Sequence, residues 1–162
     1  MYIIVGLGNP GVEYARTRHN TGRMATEFIA GKVSNIKIIT PDTFMNKSGS
    51  AIAKIIKSKK AAQKLIVIYD DLDLPLGSLK ISYNRGSGGH KGLESVIRVL
   101  KTKEFIRIRI GIGKKGDVEK HILGQFKKSE LEILKKVFKR ALAAVEAIVE
   151  HGLAAAMTEF NK

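Results

Sequence analysis

Apolar residues along this chain fall into short unbroken runs separated by stretches of helical spacing. Tyr2-Ile3-Ile4-Val5 is an apolar run ended by Gly6, and Leu65-Ile66-Val67-Ile68-Tyr69 is a longer one, of the kind found in a central strand covered on both faces. Ile36-Lys37-Ile38-Ile39-Thr40 reads as a strand stopped by Pro41, and Gly77–Tyr83 as another. Phe105-Ile106-Arg107-Ile108-Arg109-Ile110 alternates basic and apolar side chains, which predicts a strand with one face in the core and both arginines on the other. Between these runs the period lengthens. Thr21–Ala30 carries Met24, Ala25, Phe28 and Ile29 on one helical face and ends at Gly31. Asp42 or Thr43 can cap a helix running through Phe44 and Ser48 to Lys57, with Gly49 a weak spot inside it. The lysines of Lys57-Ser58-Lys59-Lys60 read as a solvated connection, and Gly92–Leu100 as a helix. Ser129 and Glu132 form a capping box for a long helix with Leu131, Leu134, Val137, Phe138, Leu142, Val145 and Ile148 along one face, and Leu153–Phe160 continues that scaffold. The order of elements predicts a single domain over residues 1–162, a three-layer α/β/α globule around a twisted mixed β-sheet.

The loops at the ends of these strands hold more chemistry than connections need. Gly6–Gly22, GLGNPGVEYARTRHNTG, follows the first strand and carries two asparagines, a tyrosine, two arginines and a histidine. Its opening matches G-x-G-x-x-G, but a dinucleotide site requires a helix to start at the glycines and an acidic residue about 20 positions on. Pro10-Gly11 disfavours helix entry, and Phe28–Ile36 contains no Asp or Glu, so a nucleotide-dependent enzyme is a distant reading. The central run ends in Asp70-Asp71-Leu72-Asp73. Ligand crevices of open α/β sheets lie at the carboxyl ends of strands, so Asn9 and Asp70 can share one cleft. Arg85-Gly86-Ser87-Gly88-Gly89-His90 is a glycine-rich loop able to present backbone N–H groups to an anion, and Gly111–Gly116 a basic loop.

His19, Asp70, Asn9 and Asn46 each fall at an element end where a polar side chain can face a cleft. An imidazole, with an ordinary pKa of about 6.5, accepts a proton from water, while a carboxylate on its other nitrogen fixes the tautomer. Side-chain amides can hold the attacked carbonyl and its developing oxyanion. The implied reaction is hydrolysis of an ester or amide by water directly. No serine stands in a G-x-S-x-G elbow, and cysteine is absent. A cation held by Asp70, Asp71, Asp73 and His90 is the weaker alternative, since that spacing suits a turn equally well.

Composition changes the picture mainly through charge. Twenty-nine Lys and Arg against 15 Asp and Glu leave a net charge of +14, a surface that attracts polyanions, with RNA the favoured partner. The basic residues are scattered over many segments and not gathered on one amphipathic helix, which argues against a membrane surface. No apolar run approaches a membrane span, Met1–Val5 lacks a basic leader, and the lack of cysteine fits a cytoplasmic location.

Five ordered motifs make a more specific statement: GLGNPG-x-x-Y-x-x-TRHN-x-G (Gly6–Gly22), P-x-TFMN-x-SG (Pro41–Gly49), DDLDLPLG (Asp70–Gly77), GSGGH-x-GL (Gly86–Leu93) and R-x-RIGIG (Arg107–Gly113). In these the chain resembles bacterial-type peptidyl-tRNA hydrolase. The resemblance implies a cytoplasmic, monomeric enzyme without metal or other cofactor. It would cleave the ester between a peptide, or an N-acylated amino acid, and the 3′ ribose of tRNA, releasing tRNA for reuse in translation. By position, His19 is similar to the family's catalytic base and Asp70 to the carboxylate that orients it. Asn9 and Asn46 are similar to its substrate-binding and carbonyl-polarising amides. Tyr14, Phe44, His90, Lys91, Arg107 and Arg109 fall at positions expected to contact the substrate or the tRNA.

Two departures stand out. Lys91 replaces the asparagine that usually follows the histidine of the glycine-rich loop, so an expected amide is missing. Only KVSNIKIIT separates Gly31 from Pro41, where family members usually have a longer segment with an additional strand. The competing class is a non-catalytic RNA-binding protein on the same scaffold, against which the retention of His19 and Asp70 argues.

Overall fold

The computed structural model describes residues 1–162. Five strands, β1 (Tyr2–Gly6), β2 (Ile36–Ile39), β3 (Leu65–Asp71), β4 (Leu79–Tyr83) and β5 (Ile106–Gly111), form one sheet in the order β2-β1-β3-β5-β4. All neighbours are parallel except β4, which runs antiparallel to β5 at one edge. The sheet is therefore mixed, as the element order implies. The longest apolar run becomes its middle strand, buried on both faces along Leu65–Asp70, and its neighbour β5 is likewise buried along its whole length.

Alternate residues of β3 feed two cores. Ile66 and Ile68 pack with Ile4, Ile106, Ile108 and Ile110 under α1 (Thr21–Ile29) and the long helix introduced below. Leu65, Val67 and Tyr69 pack with Val5, Leu7 and Phe105 under α2 (Ser48–Ala53), the short α3 (Lys59–Ala62) and α4 (Lys91–Leu100). Each fully buried large aliphatic contributes about 1.5–3 kcal/mol relative to exposure, so these two layers supply the main driving force. α5 (Val118–Leu123) lies beyond β5, followed by α6 (Lys128–His151) and α7 (Leu153–Phe160). No helix is long and apolar enough to cross a membrane. The edge of β4 is covered by a side chain that imitates a strand. Asn161 Nδ2 donates to the Ile81 carbonyl and its Oδ1 accepts from the Ile81 N–H, each at 2.8 Å.

Several local expectations are corrected. The helix expected from Phe44 to Lys57 is shorter. It opens as a 3-10 turn at Met45–Lys47 and ends at Ala53, and neither Asp42 nor Thr43 caps it. The box at the start of α6 is made by Glu130, whose carboxylate accepts from the Lys127 N–H at 2.7 Å; Ser129 and Glu132 lie inside the helix. Lys59 and Lys60 belong to α3, capped by Ser58, and α5 forms between the basic loop Gly111–Gly116 and Ser129, where no element is expected from the sequence. The shared reason is length. Four- to six-residue helices have too few turns to leave a periodic apolar signature and are held by what they pack on.

Helix α1 is set down on the sheet through glycine. A Cβ on Gly22 would come within 2.1 Å of the Ile68 carbonyl oxygen, and one on Gly6 within 2.2 Å of the Gly22 carbonyl oxygen. Gly22→Ala should therefore lift the N-terminus of α1 off β3 and cost about 1–3 kcal/mol of stability by urea denaturation. Gly86→Ala, where a Cβ meets nothing within 4 Å, should cost less than about 0.5 kcal/mol.

Candidate active site

The C-terminal end of β3 is where the two helical layers meet. Asp70 is 2% exposed and accepts two hydrogen bonds from opposite sides. His19 Nδ1 reaches Asp70 Oδ2 at 2.8 Å, and His90 Nε2 reaches Oδ1 at 2.8 Å. His19 comes from the 3-10 turn Arg18–Asn20 that leads into α1, and His90 is the N-cap of α4 on the other face of the sheet. The turn is itself anchored. Arg18 N–H donates to the Gly124 carbonyl at 3.0 Å, and the Arg18 guanidinium donates to His121 O at 3.2 Å and Glu130 Oε1 at 3.1 Å.

Hydrogen bonding makes the two histidines unlike. The Leu93 N–H donates to His90 Nδ1 at 3.2 Å, so His90 must carry its proton on Nε2 and both ring nitrogens are occupied. His19 donates through Nδ1 to the carboxylate, and its Nε2 has no partner within the fold. Burial by itself would raise the Asp70 pKa. The positive charge of His90 and His19 whenever those rings are protonated, together with their hydrogen bonds, outweighs it and holds the carboxyl well below the usual carboxylate range. Asp70 is thus a permanent acceptor, and His19 presents one free imidazole nitrogen beside it.

The amides form a second network tied to the first. Asn20, buried next to His19, clasps the backbone of Asn9: its Oδ1 accepts from the Asn9 N–H at 2.8 Å and its Nδ2 donates to the Asn9 carbonyl at 3.0 Å. Asn9 Oδ1 accepts from the Met45 N–H at 2.7 Å, which fixes the amide's orientation and leaves Nδ2 a free donor. Asn46, one residue on from Met45, is exposed. Tyr14 and Phe44 meet edge to face with centroids 6.3 Å apart, joining the same two loops. Asn20 was not singled out from the sequence, although it stands in the TRHN motif. Its value lies in a contact across 11 residues of irregular chain.

A cleft of about 750 Å³ opens beside the dyad, walled by His19, Asp70, the loop Arg85–Lys91 and α5. Asn9, Tyr14, Phe44 and Asn46 are outside its lining, on the Met45 side of the histidines. Arg85, Lys91 and Lys114 line it as exposed cations. The expectation that Arg107 and Arg109 belong to a tRNA-facing surface is corrected: they are 0% and 6% exposed. They do share one face of β5, but Arg107 is closed in by the Gly86 and Lys103 carbonyls and the Phe105 ring, and Arg109 by Asp71 and Ser82. Arg109 Nε pairs with Asp71 Oδ2 at 2.8 Å, and Asp73 with Lys114 at 2.7 Å, so the carboxylates after Asp70 are dispersed on separate cations. The remaining metal-ligand chemistry, His19, Asp70 and His90, is engaged in the two hydrogen bonds above.

A mixed α/β sheet with a buried histidine–carboxylate pair at the mouth of a cleft has the arrangement a water-activating hydrolase needs. The profile of the family described as Peptidyl-tRNA hydrolase matches residues 3–38 and 29–162. The chain is 40% identical to peptidyl-tRNA hydrolase of Thermodesulfovibrio yellowstonii over all of both chains, and 40% identical to that of Alkaliphilus oremlandii over 99% of this chain and 100% of the relative. Among solved structures, peptidyl-tRNA hydrolase from Acinetobacter baumannii superposes with a TM-score of 0.89 at 31% identity, covering 99% of this chain and 94% of that one. The chain belongs to the peptidyl-tRNA hydrolase family. The alignment with the Thermodesulfovibrio protein spans 186 positions for a chain of 162 residues, and the two profile matches overlap at 29–38, in keeping with a shortened segment before Pro41.

Because Asp70 ionises below the usual range when folded, its charge stabilises the native state fully above about pH 4, where an unfolded aspartate is already ionised. That contribution drains away as the pH falls further toward the native pKa. The unfolding free energy difference between the protein and Asp70→Asn, followed by urea titration at successive pH values, should therefore not shrink until the pH drops below about 4. Shrinkage already at pH 5–6 would contradict the assignment of Asp70 as a permanent acceptor.

Proposed function

We propose that the protein hydrolyses the ester joining a peptide or N-acylated amino acid to the 3′ ribose of tRNA, with His19 as general base. The observation that carries this reading is the single free imidazole nitrogen, His19 Nε2, on a ring whose other nitrogen is held by an ionised, buried carboxylate. Water donates its proton to Nε2 as its oxygen attacks the ester carbonyl. Asp70 stabilises the imidazolium that forms, and the proton is then available to the departing ribose oxygen. Asn9 Nδ2, a donor with no other obligation, suits the carbonyl oxygen as it gains charge, and Asn46 is the second amide proposed for the substrate. His90 keeps Asp70 aimed, a different role from the substrate contact expected for it.

The scattered cations supply affinity for the tRNA backbone, with Arg85, Lys91 and Lys114 nearest the cleft. The same reading carries a cytoplasmic monomer that needs no metal or nucleotide. A non-catalytic RNA-binding role would leave the Asp70–His19 arrangement without a purpose.

Incubation with N-acylated and with free aminoacyl-tRNA, without added metal or nucleotide, should release the acylated amino acid and spare the free one. His19→Ala should lower kcat by about 10²–10⁴-fold while tRNA binding persists, and Asp70→Asn should be less damaging. A fully active His19→Ala enzyme would falsify the mechanism.

Lys91 opens α4, is exposed, and has no partner within the fold for its ammonium. Its long stem reaches solvent at little cost, so Lys91→Asn should change kcat/KM on N-acylated tRNA by less than about tenfold, or roughly 1.4 kcal/mol. A larger change in either direction would put Lys91 among the groups that contact the reacting ester.

A further inference from the structure

Arg107 is the largest fully buried side chain of the protein, and unlike Arg109 it has no carboxylate partner. Burying a guanidinium without a counter-charge is unfavourable, and its Nε finds no acceptor at all. A residue kept under that cost must do something that an apolar side chain of similar volume cannot. Its two remaining nitrogens show what. Nη1 donates to the Gly86 carbonyl at 3.2 Å and Nη2 to the Lys103 carbonyl at 2.9 Å, while the plane lies over the Phe105 ring at 4.2 Å. Gly86 stands in the glycine-rich loop that enters α4, and Lys103 in the connection that leaves it. One planar group therefore clasps both ends of the chain segment that contains α4.

The consequence reaches the dyad by two routes. α4 carries His90 at its N-cap, so the axial placement of the helix decides whether His90 Nε2 meets Asp70. Arg107 also lies beside the Tyr69 phenol, and the Tyr69 ring meets His90 edge on, centroids 5.1 Å apart. We propose that Arg107 is a positioning residue for the hydrolysis: by clasping Gly86 and Lys103 it sets α4 so that His90 holds Asp70 in register for His19. Lysine would keep the charge but not the fork, since a single ammonium cannot match two fixed carbonyls as a planar guanidinium does.

Arg107→Lys and Arg107→Met, assayed on N-acylated tRNA, test the clasp. The expected result is a fall in kcat of about tenfold or more with KM and the salt dependence of tRNA binding unchanged, because no substrate contact is lost. In the same variants the downfield NMR signal of the His90 Nε2 proton should shift or broaden. A raised KM with a salt slope smaller by about one would make Arg107 a phosphate ligand and overturn the proposal. An unchanged kcat, or an unperturbed His90 signal, would reduce Arg107 to packing and overturn it equally. Should neither variant fold, the unaltered protein still decides: the Arg107 guanidinium protons should exchange slowly and keep their chemical shifts when tRNA is added, whereas a shift on tRNA binding would sink the clasp.

Discussion

A carboxylate with 2% of its surface in contact with solvent cannot stay ionised alone, and Asp70 stays ionised because two imidazole N–H groups meet its two oxygens. That requirement constrains the whole architecture. One imidazole arrives from the turn before α1 on one face of the sheet, the other from the start of α4 on the opposite face. Both layers must therefore approach the end of β3 to within hydrogen-bond length at once. The close glycine contacts follow from this: Gly22 lets α1 rest on Ile68, and Gly92 leaves room for the Met45 sulfur beside His90. Arg107 is buried in the same region, where its guanidinium meets the carbonyls of the segments that enter and leave α4.

Two histidines on one aspartate would be redundant if they were equivalent. A single backbone N–H makes them different. Leu93 occupies the second nitrogen of His90 and leaves His90 as support, while the second nitrogen of His19 remains open toward the cleft. Asymmetry of the same kind appears at Asn9, where the Met45 N–H takes the oxygen and leaves the amino group as a donor. In both places the chemistry offered to a substrate is decided by which half of a bifunctional side chain the fold has already used.

Much of the site is legible in the chain because strand ends are legible. The run Leu65–Tyr69 announces a central strand, so the carboxylate that follows is expected at the cleft, and Asn9 after Val5 is placed by the same logic. His19 stands out through its polar neighbours. His90 stands out too, but as part of a loop and not as the second ligand of Asp70, because that bond joins residues 20 positions apart on different elements. Arg107 and Arg109 show the limit of periodicity. Alternation states that two residues share a face and says nothing about what covers it. A basic face is the simple reading of a pattern whose arginines are in fact closed in by loop carbonyls, Asp71 and Ser82. The cap of α6 is a similar case: the spacing of Ser129 and Glu132 suits a capping box, but Glu130 forms it, where Lys127 leaves the preceding loop and Arg18 reaches across to the same carboxylate.

The layered mixed sheet, the polar loops at its carboxyl edge and the family to which the chain belongs are all legible along the chain. These are properties of local composition and order: apolar period, turn residues, and motifs whose members are near neighbours. Which histidine has a free nitrogen, which asparagine group stays unpaired and which arginines are buried depend on how the elements pack. Each of those outcomes depends on a donor or acceptor brought from a distant element, and a hydrogen bond of 2.8 Å between residues 51 positions apart, as between His19 and Asp70, has no signature along the chain until the layers close on it.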